Sequence, residues 1–445
     1  MKILLIMPRG ALYRYEKGIF KRPIRYAPLT LTTLAALIPP EIEAEVEIID
    51  EGVETLPGEI KADLVGITAI TGTAMRAYTL ADHIRQKGIP VVLGGVHATL
   101  MPQEAAFHAD AVVTGFAEES WPQLLRDFIR GRMGKLYTQS PALSMSDLPF
   151  PRRELLRGKN YITVNTVQAT RGCINHCDFC VVPVAWGRRM YLRPVRDVIS
   201  ELEQIESRNV LFVDVSPIED RQYAKDLYRA MIPLKKRWLS PSTIRMADDP
   251  ELLDLAAKSG CKGLLIGFES VSQSTLKGMG KGFNYAEKYK TQIKKLHNRG
   301  ISIQACFVFG FDTDDKTVFE KTVEMVNKLN LDLPRFTAYT PFPGTPIHEK
   351  LKKENRIIET NWSMYDAQHV VFRPKLMSPG ELQEGLYWTW KQCYTAGSIF
   401  KRLAGSRCIL PVSIPANIAY RFYARNLLKY DESKMQDNSL IETIA

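Results

Sequence analysis

The stretch QATRGCINHCDFCVVPVAWGRRMYLRP, Gln168 to Pro194, holds three of the chain's seven cysteines within eight residues, as Cys173, Cys177 and Cys180. No other two cysteines lie within ten residues of each other. A structural zinc site needs four ligands and usually takes them as two separated pairs. His176 is the one further donor here, and it is wedged between two of the thiols. Redox or nucleophilic chemistry would use one or two of them. Three thiolates around a [4Fe–4S] cluster leave one iron open to a small molecule. That arrangement suits the spacing best, with zinc and an inert structural cluster as the alternatives.

Outward from this loop, strands and helices alternate. YITVNTVQATRG leads as a strand into the cysteines, and PVRDVISELEQIES follows as a helix. NVLFVDV, LSPSTIR, KGLLIGFES, SIQACFVFGF and RFTAYTP are five more strands with helical segments between them. Six βα repeats from about 161 to 350 predict an incomplete β/α barrel, with functional residues at strand carboxyl ends. Residues 1–135 alternate in the same way: KILLIMP, AEVEIID, ADLVGITAI, PVVLGG and DAVVTG are strands, TAMRAYTLADHIRQKG and EESWPQLLRDFIRG helices. They predict a doubly wound, Rossmann-like domain whose ligand lies beyond the strand carboxyl ends. No G-x-G-x-x-G follows the first strand, which argues against a nicotinamide or flavin. Residues 136–160 are polar and proline-bearing and read as a linker. Beyond 350 the alternation stops, and 351–445 reads as a mostly helical region with a polar, frayed tail.

The composition, 45% hydrophobic and 24% charged, is that of an ordinary globular chain. No apolar run approaches the ~20 residues of a membrane span. The start has an apolar run before its basic residues, the reverse of a secretory signal, so a cytoplasmic location with reduced thiols is expected. The net charge of +10 is spread along the chain without a basic block, so no nucleic-acid partner is expected. Ser398 to Tyr430 carries six Lys/Arg among aromatics, which suits either a helical cap over the barrel or a peripheral membrane contact.

Cys173-x3-Cys177-x-Phe179-Cys180 resembles the signature loop of radical S-adenosylmethionine (SAM) enzymes, with Phe179 at the position that is usually aromatic. The downstream text from Arg189 to Pro194 and the barrel order extend the resemblance. It implies that the amino and carboxylate groups of SAM fill the open iron. An electron from the cluster then splits the sulfonium to a 5′-deoxyadenosyl radical that takes hydrogen from substrate. The electron donor implied is of the flavodoxin or ferredoxin type. The family places SAM against the strand ends, here Asp214 and Ser216 for its methionine moiety, Glu269 and Ser270 for its ribose, and Gln304 and Phe309 for its adenine. Arg245 would pair with a carboxylate, or else form a rim ion pair. Tyr339 would face substrate, or else pack.

The first domain resembles the B12-binding domain of the cobalamin-dependent members, through Gly66–Tyr78 (with Thr68 and Thr71), Val91–Ala105 (with Gly94, Gly95 and His97) and His108–Pro122 (with Gly115 and Glu118). The Asp-x-His-x-x-Gly motif that supplies a lower cobalt ligand elsewhere is absent. His97 is then expected at the corrin periphery or the backbone, and a position that is usually acidic is Phe116. The resemblance implies cobalamin-dependent C-methylation of a small-molecule or lipid-like substrate. Radical cyclisation, ring rearrangement, SAM-fragment transfer with the first domain unused, and a non-catalytic cluster- or B12-binding protein are the alternatives. A tRNA methylthiotransferase would need a second cysteine triad in the first domain, and residues 1–172 contain no cysteine.

Overall fold

In KILLIM the side chains alternate between two faces, and both faces are buried. Ile3 and Leu5 pack into one apolar cluster, Leu4 and Ile6 into another on the opposite side. A strand covered on both faces belongs inside a parallel sheet flanked by helices. The computed structural model, which describes residues 1–10, 25–140, 142–406 and 408–437 (428–437 by backbone only), shows that arrangement. Strands β1 (Lys2–Met7), β2 (Glu45–Asp50), β3 (Leu64–Thr68), β4 (Val91–Gly94), β5 (Ala111–Thr114) and β6 (Leu136–Thr138) form one parallel sheet in the order β2-β1-β3-β4-β5-β6. Trp121, on the helix Ser120–Ile129, is 2% exposed and lies against Gly66, with its indole N–H donating to Leu34 O at 3.1 Å. The strand β6 falls where the sequence suggests linker. Three residues are too few to show a period, and pairing with β5 decides the matter.

Strands β7 (Thr166–Val167), β8 (Thr170–Gly172), β9 (Met190–Leu192), β10 (Asn209–Phe212), β11 (Arg237–Ser242), β12 (Cys261–Glu269), β13 (Ser302–Phe309) and β14 (Leu333–Ala338) complete the set. Six of them make a parallel sheet in the order β14-β13-β12-β11-β10-β7, the open barrel expected. The expected first strand is broken in two. Only Thr166–Val167 joins the barrel, whereas β8 turns away and pairs antiparallel with β9. The cause is Asp214, whose carboxylate takes the N–H groups of Ala169 and Thr170.

On β12 to β14 every second side chain faces the outer helices. Phe268 stacks on Phe307 at 5.7 Å, and Phe336 lies 5.9 Å from both Phe307 and Phe309. Such cross-strand aromatic pairs set the register of neighbouring strands. Phe309 therefore belongs to this ladder, 1% exposed and against Phe319, and not to an adenine site. The alternate residues Gln304, Cys306 and Val308 are half-buried and face the lumen.

The edge of β14 would expose unpaired backbone groups, and the C-terminal helices cover it. Trp390 and Tyr394, from the end of the helix Pro379–Cys393 and the residue following it, donate to Phe336 O at 3.1 Å and Pro334 O at 2.7 Å. Ala338 N–H donates to Ala367 O at 2.8 Å. Arg402, on the helix Ala396–Ser406, is fully buried and donates to the carbonyls of Leu331, Asp332 and Cys393 and to Asn417 Oδ1. His297, Asp332 and Cys408 cluster beneath the barrel, but Asp332 already accepts from His297, Ile303 N–H and Ser406, so the group is a hydrogen-bonded staple. No helix among the described residues is long and apolar enough to cross a membrane.

Arg402→Ala would leave buried carbonyls without donors. It should lower the unfolding free energy by about 3–5 kcal/mol in urea melts, and limited proteolysis should release the C-terminal helices first. An unchanged urea midpoint would show that Arg402 carries no such weight.

Candidate active site

The hairpin β8–β9 holds the cysteine loop at the mouth of the barrel. Gly172 has φ +80°, and a Cβ there would lie 2.2 Å from Arg189 O, so only glycine closes this hairpin. All seven cysteines are free; Cys173 is buried, Cys177 and Cys180 half-buried. Asp178, between two of the thiols, is clamped from three directions. Its N–H donates to Met279 O at 3.1 Å, its carbonyl accepts from Ile347 N–H at 3.2 Å, and its carboxylate accepts from the Tyr339 hydroxyl at 2.7 Å. Gly280, φ +77°, presses against His176, where a Cβ would stand 2.5 Å from the carbonyl oxygen.

Burial pushes the Cys177 thiol up to about 12 and raises Cys180 as well, while the Lys281 ammonium works in the opposite direction on both. Desolvated, unbridged thiols stay protonated until a metal takes the proton's place. Cys177 and Cys180, with Cys173 on the same rigid loop and an ammonium close enough to offset part of the thiolate charge, fit an anionic iron–sulfur cluster. Lys281 Nζ donates to Glu269 Oε1 at 2.6 Å. Glu269 ends β12 at φ +63°, where the pairing with β13 also slips between Gly267 and Glu269. A non-glycine residue in that region stores strain, a feature concentrated at functional sites.

Around this mouth the structure sorts the expected residues. Ser216 donates to Glu219 at 2.9 Å, and Glu219 pairs with Arg245. Arg245 lies over the Phe283 ring at 4.4 Å, and its buried Nε–H has no partner, a donor open to a ligand carboxylate. Ser270 accepts from Ser272 N–H at 3.1 Å. Phe179 meets Tyr339 edge-on at 5.9 Å. Other expectations need correcting. Asp214 does not face SAM; 2% exposed, it accepts from Ala169 N–H, Thr170 N–H and the Thr170 hydroxyl, bracing the strand that enters the cysteine loop. Tyr339 packs, 4% exposed, with its hydroxyl engaged by Asp178. Gln304 donates to the Tyr420 hydroxyl at 3.1 Å, on the lumen side of β13.

Beyond the carboxyl ends of β4, β5 and β6 lies a cleft of about 480 Å³ between the two sheets. Thr99, Thr114, Gly115, Gln139, Trp186 and Arg189 are among its lining residues. Gly115, φ +77°, leaves no room for a Cβ beside Gln139, and Gly95, φ +93°, none beside Thr68 and Ala69. Gly94 ends β4 in register with Thr68 of β3. Phe116 stacks on Trp186 at 5.2 Å and lies under Arg171 at 4.7 Å; Arg171 pairs with Glu118, whose Oε2 is buried without a partner. Glycine turns, hydroxyls and an interdomain opening fit a large ligand such as cobalamin. His97 does not reach it. The ring is 1% exposed, with Nδ1 3.3 Å from the Thr71 hydroxyl and Nε2 3.4 Å from Glu104, under the edge of Trp362.

Asp178, Lys281, Gln139, Trp186 and Arg171 join these two spaces without belonging to any pattern in the local sequence. Lys281 left a trace, since it sits between two glycines in MGKGF; the others are polar or aromatic residues with no local pattern.

The family profile of the Radical SAM superfamily matches residues 167–326, and that of the B12 binding domain residues 36–125. The chain is 32% identical over 417 residues to the bacteriochlorophyllide d C-12(1)-methyltransferase of Chlorobaculum tepidum, covering 91% of this chain and 90% of that protein. It is 29% identical over 435 residues to the bacteriochlorophyllide d C-8(2)-methyltransferase of the same organism, covering 92% and 94%. The fold is shared with the radical SAM methyltransferase TsrM of Kitasatospora setae, TM-score 0.64 at 19% identity, over 86% of this chain and 84% of that one. The chain thus belongs to the radical SAM superfamily, among the enzymes that carry a B12-binding domain. It is a cobalamin-dependent methyltransferase whose cofactors are a [4Fe–4S] cluster, SAM and cobalamin.

Asp214 offers a check on the brace. Burial raises its carboxyl to about 6 in spite of its hydrogen bonds. The folded chain keeps a proton that the unfolded chain loses near pH 4, so this stabilisation is complete at low pH and is lost as pH rises toward 6. The stability of the wild type relative to Asp214→Asn should fall by about 2 kcal/mol between pH 4 and 7 in urea melts. A difference independent of pH would refute the assignment.

Proposed function

We propose that Cys173, Cys177 and Cys180 hold the cluster, that Arg245, Ser216, Glu269 and Ser270 line the SAM pocket, and that the cleft bounded by Thr99, Thr114, Gly115 and Gln139 takes cobalamin. The units are taken as 1–135, 161–350 and 351–445, with 136–160 between them. The carrying observation is the clamped, unbridged cysteine loop at the barrel mouth, beside the interdomain cleft. When bound, the cluster and cobalamin supply the electron for SAM cleavage and the carrier for the methyl group. The chain's own residues do the rest. Asp178 and Tyr339 fix the loop, and Lys281 with Glu269 sets its charge. The Arg171–Phe116–Trp186 stack screens the space between the two ligands from water.

For the substrate, a chlorophyllide-like tetrapyrrole or another bulky apolar molecule is the reading, methylated at an unactivated carbon. It is supported by the names of the two relatives at 32% and 29% identity and by Val308 and other lumen-facing side chains on the barrel strands. A flavodoxin- or ferredoxin-type donor suits the exposed Arg188 and Arg189 at the tip of the cysteine hairpin, since such proteins are acidic. A peripheral membrane contact and a cytoplasmic setting belong to the same reading.

Reconstitution with iron and sulfide under anaerobiosis, then hydroxocobalamin and desalting, should leave near-stoichiometric cobalamin on the wild type. Alanine at Cys173, Cys177 or Cys180 should abolish the iron–sulfur absorbance and SAM cleavage; either surviving would overturn the cluster assignment. Gly115→Val should reduce retained cobalamin to background with the cluster intact, because a side chain there enters the cleft wall at positive φ. Methyl transfer to bacteriochlorophyllide d, read by mass, tests the substrate class, and inactivity toward all apolar cyclic substrates would reject it.

A further inference from the structure

From Gly385 to Tyr430 the chain contains no aspartate or glutamate, and it carries seven lysines and arginines. Arg402 is spent inside. Lys391, Lys401 and Arg425 are exposed, and none has an ion-pair partner among the described residues. Within this stretch the first turns of the helix Leu410–Asp437 are inverted. Ser413 and Asn417 face the protein, 5% and 0% exposed, with Ser413 donating to Cys408 O and Asn417 to Asp332 O, both at 3.0 Å. The apolar residues point outward: Val412 is 58% exposed, Ile414 45% and Ile418 54%, with Pro411 and Pro415 exposed between them. On the adjoining helix Phe400 is 76% exposed, next to Lys401. A helix that buries its amides and hydroxyls and presents its aliphatic side chains has its apolar face toward something other than water.

We infer that this face docks on the surface of an anionic lipid bilayer. Val412, Ile414 and Ile418 enter the headgroup–acyl boundary, and Lys391, Lys401 and Arg425 meet the phosphates. Basic side chains flanking an outward apolar face, in a stretch without acids from Gly385 to Tyr430, match an anionic plane over an extended area, which neither a neutral apolar partner nor a second copy of this equally basic chain would require. Asn417 bonds to Asp332, just before β14, so the face lies at the end of the barrel away from the cysteine loop. Docking there leaves the catalytic mouth free while keeping the enzyme beside lipid-dissolved molecules. The inference rests on the proposed apolar substrate only for its purpose; the contact itself follows from the surface.

The test is co-sedimentation of the reconstituted full chain with vesicles of pure phosphatidylcholine, or with about one-third phosphatidylglycerol added, in the absence of substrate. The bound fraction should rise about tenfold with the anionic lipid and fall as salt is raised. Ile414→Ser with Ile418→Ser, both at exposed positions, should return binding to background while cluster content and cobalamin retention stay unchanged. Lys401→Glu with Arg425→Glu should remove the preference for anionic vesicles. Equal binding by wild type and the double serine variant would overturn the proposal. So would absence of vesicle binding, including the case where the serine variant instead abolishes a concentration-dependent dimer. Because no substrate is present, a failure here leaves the methyl-transfer reading standing, and a failed substrate screen leaves this one standing.

Discussion

Asp178 is the residue on which the active end of this molecule turns. Its backbone ties the cysteine loop to Met279, at the end of the helix Gln273–Gly278, and to the helix Pro346–Lys353, and its carboxylate holds the hydroxyl of Tyr339 at the end of β14. The first and last parts of the barrel are thereby locked to one loop. A cluster held by three thiolates gets its geometry from the backbone that carries them. A loop that long would otherwise sample many conformations at a cost in backbone entropy. Gly172 and Gly280 permit the two closest approaches of that loop, at Arg189 and at His176.

The same constraint explains several buried polar residues. Asp214 and Tyr339 are buried polar groups just past strand carboxyl ends, where ligands would be sought, and Glu201 is buried on the helix Val195–Gln204. Glu201 pairs with Arg153 and Arg193, and Arg193 in turn donates to Gln168 O at 2.8 Å. Each of these groups satisfies the backbone or a charge that positions the loop. An open six-stranded barrel lacks the closure that makes a full barrel self-supporting, so its first strand and its loop are held by side chains instead. The C-terminal helices do the same for the far edge, with Trp390 and Tyr394 supplying donors that a seventh strand would have supplied.

The two sheets meet at the cysteine hairpin. Phe116 comes from the turn after β5, Trp186 from the short helix Val182–Trp186 between β8 and β9, and Arg171 from β8; Phe116 stacks on Trp186 and lies under Arg171. One chain of contacts therefore runs from the cobalamin-type domain to the residue two before Cys173. Where a methyl carrier and a radical source act on one substrate, their separation must be set by structure, and contacts of this kind between the two sheets are what hold them in fixed relation.

The cysteine spacing, the alternation of strands and helices and the absence of a dinucleotide motif are local properties. They were legible because neighbouring residues carry them: three thiols in eight positions, a period of two in strands, glycines at turns. Gly95, Gly115 and Arg245 stand out in the same way, as turn glycines and a charge beside a strand end. Which way Asp214, Tyr339, Phe309 and His97 point was not legible, since strand ends in sequence look alike whether the side chain turns toward a ligand, a backbone amide or an outer helix. Lys281, Gln139 and Trp186 come from segments far apart in the chain, and only folding brings them to the barrel mouth and the interdomain cleft. The sequence by itself determined the chemistry available and the class of fold, because both depend on short-range pattern. The tertiary structure alone decided which polar groups are left over for cofactors, because hydrogen-bond partners in a closed interior are settled by every element at once.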